Sequence, residues 1–172
     1  GIIPLLYMFI NVAFLLFLVV YSFWSLRSGQ QNLGRILLQI ITGIVAGSIL
    51  VIPPHELLHG LAYRILGAKK ISFGMDLQQF IFYVTADRFP ISKKELAFLA
   101  LTPFVIINLL LITTVALWAT QLTPFFTVLL LTHNIMCIGD FAIISYAYSH
   151  KGELYTYDDT ENKKSYFFEQ VV

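Results

Sequence analysis

Apolar residues run almost without interruption through four stretches of the chain: Ile2 to Leu26, Ile36 to Leu66, Leu96 to Thr120 and Pro124 to Tyr148. At about 1.5 Å per residue, each is long enough as a helix to cross roughly 30 Å of hydrocarbon. The pattern therefore predicts four spans. Arg27-Ser28-Gly29 closes the first and begins a short polar connector. The second is interrupted by Pro53-Pro54, where two helical donors are lost and the chain should kink or unwind. Gly67 follows its end and suits the left-handed residue that terminates a helix.

From Ala68 to Phe89 the period changes. Ile71, Phe73 and Met75 alternate with Ser72 and Gly74, and Phe80, Phe82 and Val84 alternate with Ile81, Tyr83 and Thr85. Period-two alternation predicts a β-hairpin or small sheet, an insert over about 69–88 at the membrane surface. Ser92 with Glu95 three residues on is a capping-box signature for the third span. Thr123-Pro124 offers an N-cap and first helical residue for the fourth. The tail, 149–172, mixes polar, charged and aromatic residues and is expected to be a short surface segment. The fold class predicted is thus a single integral membrane domain over 1–172, all-α with a small β insert.

Composition agrees with a lipid solvent. Of the 172 residues, 58% are hydrophobic and 12% charged, with a mean hydropathy of +0.77, more apolar surface than a soluble domain of this size could bury. The first stretch is too long for the apolar segment of a signal peptide and has no basic residues before it, so it is expected to be retained. A net charge of +1 gives no reason to expect nucleic acid as a partner. With four spans, the hairpin and tail share one side, carrying Lys69, Lys70, Arg88, Lys93, Lys94, Lys151, Lys163 and Lys164 against Arg27 and Arg35 opposite. The bias of Lys and Arg predicts a cytoplasmic hairpin and tail, both termini inside, and a multi-pass protein of the cell membrane.

Few ionisable residues fall at membrane depth: His55, Glu56, His59, His133 and Asp140. Such residues are costly in lipid and mark functional sites. Three of them form His55-Glu56-Leu57-Leu58-His59. On a helix the two imidazoles lie one turn apart on one face, where both can bind one Zn²⁺, and Glu56 is placed to act as general base on a water. The single cysteine, Cys137, excludes a Cys-based zinc cluster, so a third ligand must be His or carboxylate. Depth selects it. His59 and His55 lie about 10 and 16 Å from the inner end of their span, Asp140 about 12 Å from the end of its own, and His133 about 22 Å. Asp140 is the expected third ligand, with His133 the alternative or a residue hydrogen-bonded behind the ligands. Asn108 and Asn134 could stabilise an oxyanion, although interhelical hydrogen bonding is the plainer role for buried asparagines. Gly43 and Gly47 are expected to permit close helix packing.

These motifs resemble a site-2-protease-like intramembrane zincin, and most closely the small membrane proteins described as putative zincin peptidases. The resemblance covers roughly Ile52 to Phe141. It rests on HELLHG at 55–60, the strand-rich insert, Leu99-Ala100-Leu101-Thr102-Pro103-Phe104-Val105-Ile106-Ile107-Asn108, and Asn134 to Gly139-Asp140. The chain departs from the family pattern at Thr102, which stands for Gly, and in the spacing and order of the Asn134 to Asp140 segment. The resemblance implies hydrolysis of a peptide bond in or near a transmembrane segment of a membrane-protein or peptide substrate. Strands 71–85 offer an edge for adding a substrate strand. The alternative within the same chemistry is a non-proteolytic zinc-binding membrane regulator or chaperone. Four histidines are too few for the His boxes of a membrane di-iron enzyme. Two on one helix cannot bracket a haem.

Overall fold

The computed structural model describes residues 2–76, 81–117, 120–162 and 164–169. Phe80 of the strand pattern and Lys163 of the inside charges lie outside them. Elements follow in the order α1 (Ile2–Arg27), α2 (Leu33–Leu50), α3 (Ile52–Ile65), β1 (Ser72–Asp76), β2 (Ile81–Thr85), β3 (Ile91–Ser92), α4 (Lys93–Leu117), a 3₁₀ turn (Thr120–Leu122), α5 (Thr123–Met136), α6 (Ile138–Ser149), β4 (Leu154–Asp159) and β5 (Lys164–Glu169). The protein is mostly helical, with small antiparallel sheets. Three helical segments, Ile2–Arg27, Leu33–Ile65 and Lys93–Leu117, are long and apolar enough to cross a membrane, and α5 with α6 makes a fourth if the pair is one span.

The chain forms two compact units, one comprising 53–103 and 139–172, the other 2–52 and 104–138. In the second unit α5 packs on α1 and α2. Gly43 and Gly47 make the α2–α5 approach possible: a Cβ on Gly43 would stand 2.9 Å from the Phe125 carbonyl, and one on Gly47 2.7 Å from Thr132 Cβ. Several buried polar residues of this unit pair with one another. Gln39 donates to Gln31 at 2.7 Å. Asn108 Nδ2 donates to Asn134 Oδ1 at 2.8 Å and to the Phe104 carbonyl at 2.7 Å. Large apolar side chains such as Phe9, Val20, Leu38 and Ile49 stay exposed on α1 and α2, a surface suited to lipid.

The first unit holds α3, the start of α4, most of α6 and both sheets. Its core gathers Ala62, Tyr63, Val84, Ile91, Leu96 and Leu99, among others. Pro53 and Pro54 occupy the first turn of α3, where a missing N–H breaks no helical bond, so the interruption falls just before them at Val51. Gly67, at φ +101°, ends the helix, with the Ala68 amide donating back to the Tyr63 carbonyl at 3.0 Å. β1 and β2 pair antiparallel with Phe73 opposite Val84 and Gly74 opposite Tyr83. Ser92 caps α4: its amide and its hydroxyl each donate to Glu95 Oε2 at 2.7 Å.

One expectation needs correction. Thr123 is not an N-cap. The 3₁₀ turn carries helical geometry into α5, so the cap position falls on Leu122 at φ −103°, ψ 14° without a side-chain cap bond, and Pro124 follows inside the first turn. Beyond the surface segment expected, the tail is ordered as strands: β4 and β5 form a hairpin, and β4 pairs with β3, setting Ile91 opposite Thr156 and Ser92 opposite Tyr155.

Candidate metal centre

His55, Glu56 and His59 lie on α3, and α6 brings Asp140 to them within the same compact unit. The three donor groups close on one point. His55 Nε2 lies 3.1 Å from His59 Nε2. Asp140 Oδ1 lies 3.4 Å from His59 Nε2, and Oδ2 lies 3.5 Å from His55 Nε2. Ligands at about 2.0–2.1 Å from a tetrahedral Zn²⁺ stand roughly 3.3–3.4 Å from one another, and the three residues come that close, with one Asp140 oxygen facing each ring.

Hydrogen bonding fixes the donor set. His59 Nδ1 lies 3.1 Å from the Leu99 carbonyl on α4. A carbonyl can only accept, so Nδ1 carries the proton and Nε2 presents its lone pair to the cluster. Asp140 Oδ2 is buried, with the His55 ring nitrogen at 3.5 Å but no hydrogen bond of good geometry among the described residues. A buried carboxylate oxygen so weakly met is costly unless a cation or a better donor reaches it. Two imidazoles and a carboxylate suit zinc, and the residues therefore fit the ion that a zincin would carry.

Glu56 stands beside this group, within electrostatic reach of His59, His55 and Asp140 and within hydrogen-bonding reach of the Val84 backbone N–H on β2. It also lines a mostly apolar groove with Pro53, Leu57, Phe73, Phe82 and Tyr83. Helix and strand thus present the carboxylate between the donors and an open strand.

His133, Asn108 and Asn134 belong to the other unit. All three are buried. Asn108 bridges to Asn134 and approaches His133 Nδ1 at 3.5 Å, and Tyr7 donates to the Asn134 carbonyl. The Asn108–Asn134 bond joins α4 to α5. Tyr63 and Asp158, which no motif singled out, line a cavity together with His59 and Asp140. Tyr63 was detectable as the third member of a stripe spaced i, i+4, i+8 with His55 and His59.

Comparison with known proteins gives one family. The family model described as "Putative zincin peptidase" matches residues 48–155, more than half of the chain. No curated protein and no solved structure matches.

Proposed function

The chain belongs to the zincin peptidase family matched over 48–155, and from that premise we propose that it is an intramembrane zinc metalloprotease of the site-2-protease-like type. Its substrate class is membrane proteins cut in or near a transmembrane segment. The observation that carries the proposal is the set of Nε2 and carboxylate separations, 3.1 to 3.5 Å, beside Glu56. His55, His59 and Asp140 would hold the ion. Zinc, when bound, supplies a Lewis acid that polarises a carbonyl and lowers the pKa of a water.

The remaining work falls to the chain's own groups. Glu56 takes the proton of the attacking water and passes it to the leaving amine. The Leu99 carbonyl keeps the His59 ring in the tautomer and orientation that ligation needs. The outer edge of β2 at Val84 adjoins Glu56, so a substrate strand added there lies beside the general base. Three long apolar helical segments and the charge bias support placement in the cell membrane with hairpin and termini on the cytoplasmic side.

Cleavage of a transmembrane reporter peptide by the purified protein tests this. Activity that a zinc chelator removes and added zinc restores is the expected result. A protein that holds zinc yet cleaves no reporter would instead favour the non-proteolytic regulator.

A further inference from the structure

The unit that carries the metal centre also holds a cavity of ≈ 130 Å³ in which His59 and Asp140 meet a second carboxylate, Asp158 of β4. Asp158 Oδ2 accepts from the Tyr63 hydroxyl at 3.2 Å. Its Oδ1 accepts from Ser165 Oγ at 2.6 Å, and its backbone carbonyl accepts from the Arg88 amide at 2.8 Å. Among the described residues, the side chains that donate to this carboxylate, Tyr63 and Ser165, are neutral. No Lys or Arg lines the cavity, and Asp158 forms no ion pair among the described residues.

The other walls are largely apolar, with Val84, Leu99 and Ile143 among them. An apolar sleeve with one rigid carboxylate suits a side chain that has a methylene stem and a cationic head, since the stem is desolvated at little cost and the head finds an anion. Asp140 is turned to the two imidazoles, which leaves Asp158 to meet that cation. We infer that this cavity is a specificity pocket that receives a Lys or Arg side chain of the substrate next to the scissile bond. The inference rests on the peptidase reading. Asp158 lies on the C-terminal hairpin, beyond residue 155, where the family match ends. The cytoplasmic flanks of transmembrane helices carry an excess of Lys and Arg, so membrane substrates present such residues on the side of the membrane proposed for the hairpins.

Binding tests the pocket apart from catalysis. Labelled transmembrane reporter peptides that differ only by Lys, norleucine or Glu at each juxtamembrane position are titrated into zinc-loaded Glu56→Gln protein in nanodiscs. At one position Lys should bind at least tenfold more tightly than norleucine, and Glu more weakly than either. Adding Asp158→Asn should erase the difference between Lys and norleucine, and Asp158→Glu should keep most of it. Ser165→Ala controls for hairpin integrity, because it removes the same anchor without the charge and should keep the preference. Equal binding of Lys and norleucine at every position, or a preference unchanged in Asp158→Asn, would overturn the inference. A preference for Lys without cleavage of any of these peptides by the wild-type protein would leave the pocket standing and remove the peptidase reading.

Discussion

His55 Nε2 and His59 Nε2 stand 3.1 Å apart with Asp140 oxygens at 3.5 and 3.4 Å from them, one oxygen to each ring. Two ring nitrogens and a carboxylate held this closely must share either protons or a cation. The proton inventory favours the cation, since the Leu99 carbonyl already takes the only proton of a neutral His59 ring. Purified protein should contain about one zinc per chain, on the stoichiometry of a three-residue site. His55→Ala, His59→Ala and Asp140→Ala should each lower zinc affinity by well over the tenfold to hundredfold loss typical of residues behind the ligands. Elemental analysis after dialysis against graded chelator measures this, and undiminished zinc in Asp140→Ala would remove that residue from the ligand set.

The Val84 amide is the backbone group of β2 nearest in function to Glu56. Val84→Pro deletes that N–H, and cleavage should disappear while zinc content is kept. Retained cleavage would eliminate strand addition as the mode of substrate entry.

Packing in the helical unit makes a separate prediction. Gly47→Ala places a Cβ 2.7 Å from Thr132 Cβ. The clash is with a branch point that no side-chain rotation can move, so destabilisation of about 1–3 kcal/mol is expected. In the other unit Gly139, the second residue of α6, has nothing within 4 Å of an added Cβ, so Gly139→Ala should be neutral or stabilising by up to about 1 kcal/mol. Denaturant titration of the two variants in mixed micelles compares them directly.

The surface hairpin has a pH dependence of its own. Asp87 Oδ1 accepts from the Thr160 hydroxyl at 2.7 Å and amide at 2.9 Å. The hydroxyl, then the amide, hold the Asp87 carboxyl below its ordinary value of 3.8. A depressed native pKa means that the link is fully present above the unfolded value and is lost as pH falls through the native one. Thr160→Val should move the Asp87 titration back toward 3.8, as read by carbon-detected NMR, while an unchanged titration would show that the hydroxyl contributes nothing.

The chemistry of α3 was legible because it is local: spacing on one helix puts His55, Glu56 and His59 together whatever surrounds them. Asp140 was reachable by comparing depths in two spans, an argument that needs only helical rise. Gly67 and the Ser92–Glu95 box were equally local. The strands of the tail were harder to see, since β4 is set by pairing with Ile91 and Ser92, more than 60 positions earlier in the chain, and β5 by pairing with β4. A signal was nonetheless present: Leu154 to Tyr157 and Ser165 to Phe168 are β-prone runs around a polar turn, the pattern of a hairpin. Missing that hairpin hid Asp158, because its meeting with Tyr63 exists only once β4 is docked. Thr123 failed for a smaller reason. A 3₁₀ turn ahead of it denied the extended conformation that a side-chain cap requires.

Zinc content and reporter cleavage measured on the same preparations of wild type and Glu56→Gln bear most directly on the central claim. Substituting Gln leaves the two imidazoles and Asp140 in place and removes only the base, so both proteins should hold zinc and only the wild type should cleave the transmembrane reporter. Equal cleavage by the two would contradict the role of Glu56, and absence of zinc from both would contradict the metal centre itself.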